Sequence, residues 1–330
     1  MEFQSVLSMA PLRISFLGGG SDIPSFYEKS PGCVVSAAID KYVYVHIKRH
    51  DPLFQERYRV SYSEVEHTKN RDEIKNSIVR ACLELLNMDE PLQISTSADL
   101  PANSGLGSSS SFAVALLNGL HAIRGEEVSP VQIAEEACQA EIGILKSPIG
   151  KQDQYAAAFG GMNYFEFREN GSVQIEPLYL SRTDTGRFLE KSLLIWTGQS
   201  RKADVILGDQ ASRAESNFNQ LLQITELAKS FKELLLNSNL DWAELGSLIS
   251  QGWKLKQSFS DKISTDDVRA ITAQLDDLNC YGYKLLGAGG GGFIFAIFDE
   301  ISDKNLEGLN DWRTFRPALD HAGARIVSVN

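Results

Sequence analysis

Apolar and polar positions alternate through Leu12-Arg-Ile-Ser-Phe16, the two-residue period of a strand with one buried face, and the run breaks at Gly18-Gly-Gly-Ser-Asp22. Cys33 to His50 reads as a second strand region placed to pair with it. Leu92, Ile94 and Thr96 alternate with Gln93, Ser95 and Ser97, giving a short strand that runs straight into a loop. Helices are predicted at Ile74 to Asn87, at Phe112 to Arg124, which stops at Gly125, and at Ser129 to Leu145. Ser129, Pro130 and Gln132 predict a capping box with proline at the first helical position. Gly160-Gly161 leads into a strand from Met162 to Phe167, and the pattern is lost from Gln174 to Arg187. A new strand begins at Leu193-Leu-Ile-Trp196, and helices are predicted over about 202–234, 240–258 and 265–279. Strands Tyr283 to Leu286 and Phe293 to Phe298 then flank Gly287-Ala-Gly-Gly-Gly-Gly292. The pattern divides near residue 185, which predicts two domains, 1–185 and 186–330.

The strand at Leu92 and the helix at Phe112 are joined by Asp99-Leu-Pro-Ala-Asn-Ser-Gly-Leu-Gly-Ser-Ser-Ser-Ser111. Gly105 and Gly107 let successive backbone N–H groups turn toward one ligand. Ser108 to Ser111 cap or begin the helix, whose unpaired N–H groups and dipole favour a phosphate. No Gly-Lys-Ser/Thr follows, so this is not the usual P-loop. Residues 287–292 formally satisfy the dinucleotide fingerprint, yet the next segment is a strand where that fingerprint requires a helix. Six residues so rich in glycine bring bare backbone close to a ligand or to another part of the fold.

Composition narrows the classes. The chain has 330 residues, 43% hydrophobic and 23% charged, which is ordinary for globular protein. A net charge of −11 argues against nonspecific partnership with nucleic acid or an anionic membrane, so any bound phosphate must be met locally. Cys33, Cys82, Cys138 and Cys280 are widely spaced, with no C-x-x-C pair and no leader-like opening segment, and read as reduced, mostly buried thiols of a cytoplasmic protein. His46 and His50 lie four apart in a strand-like run, where that spacing builds no helical metal site.

Three charged residues stand out. Glu141 falls on the apolar face of its helix, with Ala134, Ala137 and Cys138. A carboxylate there needs a cation: Lys146 or another basic group, or a magnesium ion bridging nucleotide phosphates. Asp153 alone reads as a helix N-cap, and Arg13 alone as one half of a strand-face ion pair. Taken together they make a hydroxyl-activating pair, an aspartate to take or orient a proton and a permanent cation to steady it and a migrating phosphoryl group.

Pro11-Leu-Arg-Ile-Ser-Phe-Leu-Gly-Gly-Gly-Ser-Asp22, Pro101-Ala-Asn-Ser-Gly-Leu-Gly-Ser-Ser-Ser110 and Leu286-Gly-Ala-Gly-Gly-Gly-Gly-Phe293 resemble the three ordered motifs of the galactokinase, homoserine kinase, mevalonate kinase and phosphomevalonate kinase superfamily. The resemblance spans nearly the whole chain. It implies an α+β fold of two domains, an N-terminal α/β domain of the ribosomal protein S5 domain 2 type and a C-terminal ferredoxin-like α+β domain, with the active site between them. It also implies ATP and Mg²⁺ as cofactors. The implied ATP-phosphate residues are Pro101, Ser104, Gly105, Leu106, Gly107, Ser108, Ser109 and Ser110, and Ser109 with Glu141 would hold the metal. Four consecutive serines leave Ser108 and Ser110 as alternatives to Ser109. Asp153 matches the catalytic aspartate of the superfamily, and Arg13 the basic residue of its first motif.

Gly19, Gly20, Ser21, Asp22, Arg201, Gly289 and Gly290 are implied at the sugar, with Asp22 on a sugar hydroxyl or, alternatively, in an Asx-turn before Pro24. Galactokinases carry Gly-Glu-His-x-Asp where this chain has Gly18 to Asp22, so galactose is not expected. The triple glycine, together with Gly150-Lys-Gln-Asp-Gln-Tyr-Ala-Ala-Ala-Phe-Gly-Gly161, is most similar to the branch that contains heptose 7-phosphate kinases and fucokinases. That branch implies phosphoryl transfer from ATP to the anomeric hydroxyl of a small-molecule sugar phosphate. Arg201 is then the first candidate for the substrate phosphate, with Lys202, Lys254 and Lys256 behind it. A free sugar such as L-fucose is the alternative acceptor, and a non-catalytic sugar and ATP sensor the alternative class. A monomer or homodimer with no nucleic-acid or membrane partner is expected.

Overall fold

The computed structural model describes residues 3–179, 188–199, 217–237, 240–260 and 263–330. Strands β1 (Ser5–Leu17) and β2 (Gly32–Arg49) pair antiparallel along nearly their full lengths, with the short helix α1 (Pro24–Tyr27) in the connection between them. β2 is long enough to serve two partners on its other edge. Its second half pairs with β5 (Leu92–Ala98), and its first half with β6 (Met162–Phe167). β3 (Tyr58–Ser61) adds parallel to β5 and β4 (Val65–Thr68) antiparallel to β3, while β7 (Val173–Pro177) pairs with β6.

Helix α3 (Ser108–Ile123) lies across β1 and β2 and is buried on almost every side, which its run of Ala, Val and Leu demands. Leu116, Leu117 and Leu120 are fully enclosed, and burial of such side chains stabilises by about 1.5–3 kcal/mol each. Ser111 Oγ donates to the Pro11 carbonyl at 2.7 Å, where the β1–β2 register shifts, and so ties the start of α3 to β1. The helices α2 (Ser77–Leu85), α4 (Pro130–Cys138) and α5 (Gln152–Phe159) complete this layer.

A second sheet, in the order β11 (Arg313–Phe315), β8 (Ser192–Trp196), β10 (Phe293–Ile297), β9 (Gly282–Leu285), is antiparallel throughout. α7 (Trp242–Gln257) and α8 (Asp266–Asp277) pack on its β9, α6 (Phe218–Leu235) packs on α7 and against β1 and β2, and α9 (Asp303–Glu307) follows β10. The chain then returns: β12 (Arg325–Val329) pairs with β1, so the C-terminal strand belongs to the first sheet. Phe16 of β1 packs against Phe188, Phe231 and Phe295, joining the two halves by ring contacts.

Several details correct the sequence reading. Residues 174–177, where the pattern was expected to be lost, belong to β7. The helix expected from Ser129 to Leu145 is α-helical only to Cys138 and continues as a π-helix over Gln139–Ile144. Only half of the capping box forms. Ser129 Oγ accepts the Gln132 N–H at 3.2 Å, but the Gln132 side chain turns away to Glu136 at 2.9 Å. The expected division near residue 185 and the start of the helix expected from residue 202 lie outside the described residues. Among the described residues no helix is long and apolar enough to cross a membrane.

Candidate active site

A cavity of about 280 Å³ lies where the two sheets meet, and the three glycine-rich segments converge on it. The Ser/Gly loop forms one wall of it. Asn103, Gly105 and Gly107 have φ of 58°, 84° and 76°, left-handed values that turn successive peptide N–H groups the same way. Gly107 is the N-cap of α3 and no side chain caps the helix, so the amides of the first turn remain available to an anion. Gly105 is required for a second reason. A β-carbon there would stand 2.5 Å from the Leu286 carbonyl oxygen.

Arg13, on the β1 face beneath this loop, grips Asp153 with two charge-assisted bonds, Nε to Oδ1 at 2.6 Å and Nη2 to Oδ2 at 2.8 Å. Its Nη1 donates to the Gly105 carbonyl at 2.7 Å, and its backbone N–H donates to the Leu106 carbonyl at 3.0 Å. The first motif thus holds both the carboxylate and the anion loop. Arg13 is nearly enclosed, whereas the Asp153 side chain keeps 24% of its surface exposed toward the cavity. Asp153 sits in the first turn of α5, where its negative charge meets the positive helix end. It is not the N-cap, which is Lys151.

Glu141 enters from the π-helical turn, buried, and meets no basic side chain among the described residues. Its oxygens accept from Ser109 Oγ at 2.9 Å and Gln154 Nε2 at 2.6 Å. Burial pushes its carboxyl up from the ordinary value, against bonds from Ser110, Gln154 and Ser109, and the nearby Asp153 raises it further. Of the alternatives for its partner, Lys146 is not in contact. A buried carboxylate served only by neutral donors, with a serine hydroxyl beside it at the phosphate loop, is an oxygen donor set suited to Mg²⁺ completed by phosphates and water.

Asp22 is buried and accepts backbone N–H bonds from Gly20 at 2.9 Å and Gln152 at 3.1 Å. Burial raises its carboxyl above the ordinary range. Gly19, Gly20 and Asp22 border the cavity. Ser21 does not: its hydroxyl donates to the Gly18 and Cys33 carbonyls and accepts from the Cys33 N–H, which locks the turn onto β2.

The structure separates other expected site residues from the cavity. Gly290 donates its N–H to Ile263 at 2.9 Å, and a β-carbon at Gly289 would meet Ile263 at 3.1 Å, so these two face a neighbouring segment. Their neighbours Gly287 and Ala288 line the cavity instead. The glycine run serves mainly as a clasp: Gly287 lies against Gly105, Gly292 against the Ser104 carbonyl, and Phe293 N–H donates to that carbonyl at 3.1 Å. Pro101, Ser104 and Leu106 shape the loop from outside the cavity. Arg201 and Lys202 lie outside the described residues, Lys254 is exposed away from the cavity, and Lys256 reaches into it.

Sequence reasoning missed three cavity residues. The buried oxygens Ser15 Oγ and Gln152 Oε1 have no hydrogen-bond partner among the described residues, and both residues line the cavity beside Gly19. Lys284, from β9, donates to the Ser15 and Phe16 carbonyls at 2.8 and 2.9 Å. Burial, with Lys256 and Arg13 nearby, holds its ammonium well below the ordinary range. A lysine inside the otherwise apolar strand Tyr283 to Leu286 was the available signal.

Residues 76–161 match the GHMP kinases N terminal domain and residues 227–314 the GHMP kinases C terminal domain, together just over half of the chain. The chain belongs to the GHMP kinase family, with its two-domain α+β fold, and is a phosphotransferase acting on an alcohol group. It is 29% identical over 92% of both chains to the D-glycero-alpha-D-manno-heptose 7-phosphate kinase of Campylobacter jejuni. It is 28% identical to the bifunctional fucokinase/GDP-fucose pyrophosphorylase of Arabidopsis thaliana, over 87% of this chain and 29% of that one. A solved D-glycero-D-manno-heptose 1-phosphate kinase from Bacteroides thetaiotaomicron shares the fold with a TM-score of 0.80 at 23% identity, covering 98% of this chain and 99% of the other. ATP is the phosphate donor of this family, generally with Mg²⁺.

Proposed function

We propose that this kinase transfers the γ-phosphoryl of ATP to the anomeric hydroxyl of D-glycero-D-manno-heptose 7-phosphate, giving the 1,7-bisphosphate. The observation that carries the chemistry is the paired grip of Arg13 on Asp153 directly under the Gly105 to Ser110 loop. The heptose assignment is supported by the 29% identity, along almost the whole chain, to a kinase of that name.

The amides at Gly105 to Ser110 receive the nucleotide phosphates, and the acceptor enters against Gly19, Gly20 and Asp22. Asp22 accepts a sugar hydroxyl, and Ser15 and Gln152 offer it two oxygens that have no partner among the described residues. The anomeric hydroxyl then faces Asp153, whose orientation the two-pronged Arg13 contact fixes. As the hydroxyl oxygen bonds to phosphorus, the bond from phosphorus to the β–γ bridging oxygen breaks and its electron pair leaves with ADP. The hydroxyl proton passes to Asp153. Ser109 and Glu141 would hold Mg²⁺, which when bound would neutralise phosphate charge. Positioning and charge compensation supply most of the rate.

The test is ATP turnover with a matched pair of acceptors, the heptose 7-phosphate and the same heptose without its phosphate. Selective turnover of the phosphorylated sugar is the expected result. Turnover of neither, with activity on L-fucose, moves the assignment to the free-sugar branch that the Arabidopsis relative represents.

A further inference from the structure

We propose that Lys256 is the cation that meets the γ-phosphoryl group in transit, a charge that Arg13 does not supply. Arg13 spends its fork on Asp153 and Gly105, so its charge is already balanced by a carboxylate at 2.6 and 2.8 Å. Beside the Mg²⁺ proposed at Ser109 and Glu141, a side-chain cation for a phosphoryl group between the Ser/Gly loop and Asp153 therefore has to come from elsewhere.

Lys256 stands at the required place. It projects from the last turn of α7 into the cavity, and its ammonium donates to the Gly287 carbonyl. Gly287 in turn packs against Gly105, whose carbonyl receives Arg13. Lys256 thus borders the anion loop from the second domain while Arg13 borders it from the first. Among the described residues it has no carboxylate within ion-pair distance. The charged groups around it are Arg13, Asp22, Asp153 and Lys284, and burial, with Arg13 alongside, brings its ammonium down to about 8. An arriving polyanion removes that penalty. Lys284 is the less suitable candidate, because it is more deeply buried and directs its ammonium to two β1 carbonyls. Lys256 contributes charge alone, and the hydroxyl proton still goes to Asp153.

The inference rests on the Gly105 to Ser110 loop holding the nucleotide, and is independent of which sugar is the acceptor. The experiment is equilibrium binding of MgATP and MgADP to the wild type, Lys256→Gln and Lys256→Arg, with thermal melts to confirm folding. Lys256→Gln is expected to weaken ATP tenfold or more while ADP stays within twofold, and Lys256→Arg to recover most of the difference. Wild-type ATP affinity should also decline above pH 8, a limb that Lys256→Arg removes. Equal effects on ATP and ADP, or no effect, overturn the proposal. So does a change confined to the acceptor KM, which would assign Lys256 to the phosphate carried by the sugar. Gly105→Ala tests the loop separately, since it should weaken both nucleotides together.

Discussion

Arg13 and Asp153 are 140 residues apart in the chain, yet the guanidinium meets both carboxylate oxygens in a parallel fork. The same arginine reaches the Gly105 carbonyl, so the proposed proton acceptor and the proposed phosphate loop share one reference point on β1. Asp153→Asn should lower kcat by about 10²–10⁴-fold while nucleotide and sugar affinities change only a few-fold. Arg13→Lys keeps the charge but loses the fork, and a loss of about a hundredfold is expected. Single-turnover kinetics alongside equilibrium binding checks both. Unchanged chemistry in Asp153→Asn would remove that residue from the mechanism.

Glu141 costs stability in order to be available. Its carboxyl is raised by burial, so the charged form is disfavoured in the folded state, and the group favours folding at low pH and opposes it as pH rises. Glu141→Gln should therefore melt higher at neutral pH and require about tenfold or more Mg²⁺ for half-maximal activity. A thermal melt and a Mg²⁺ titration together decide this. A lower melting temperature with an unchanged Mg²⁺ requirement would make the carboxylate structural.

Gly150 is held to glycine by Asp22. A β-carbon at position 150 would fall 1.9 Å from Asp22 Oδ2. Gly150→Ala should push that carboxylate out of place, raise the acceptor KM about tenfold or more, and cost about 1–3 kcal/mol through overpacking. ADP affinity should not change, because the substitution does not touch the loop at Gly105 to Ser110. Parallel loss of ADP binding would contradict a separate acceptor wall.

His121, in the last turn of α3, lies between Glu126 and Glu136, each 2.7 Å from one ring nitrogen. Both nitrogens donate only in the imidazolium form. Burial alone would lower its pKa, but bonds to the two glutamates outweigh that and raise it above 6.5, while Glu136 is lowered from 4.5 against its own burial. The His121 contribution is complete below pH 6.5 and is lost as pH rises through the raised value. The Glu136 contribution is present above pH 4.5 and is lost as pH falls through the lowered one. His121→Gln should cost about 1–3 kcal/mol near pH 5.5 and less at pH 8.5, measured by denaturant melts at both. An equal cost at both would mean that the ring is not charged.

The strand, loop and helix around residues 92–123 were legible because each carries a local signal: period two, then left-handed glycines, then an apolar run. Glu141 was legible for the same reason, since a carboxylate on an apolar helical face is conspicuous within ten residues of sequence. β7 and β12 were not, because short edge strands with partly exposed faces carry little hydrophobic pattern. Gly289 and Gly290 misled because a glycine permits close approach without saying to what. The run closes mostly on the backbone at Ser104, Gly105, Gln199 and Ile263.

Local pieces were thus written in the chain alone: the strands with a clear two-residue period, the glycine loop that opens a helix start to an anion, and the charged residues that stand where charge is costly. These follow from short-range sterics and hydrophobic period, which act within one or two turns of chain. The pairings came from the folded arrangement: Arg13 with Asp153, Glu141 with Ser109 and Gln154, and Lys256 and Lys284 brought from the second domain to the first. Such contacts depend on how β1, α3 and β9 stack, which side-chain packing over the whole core sets and no local window contains.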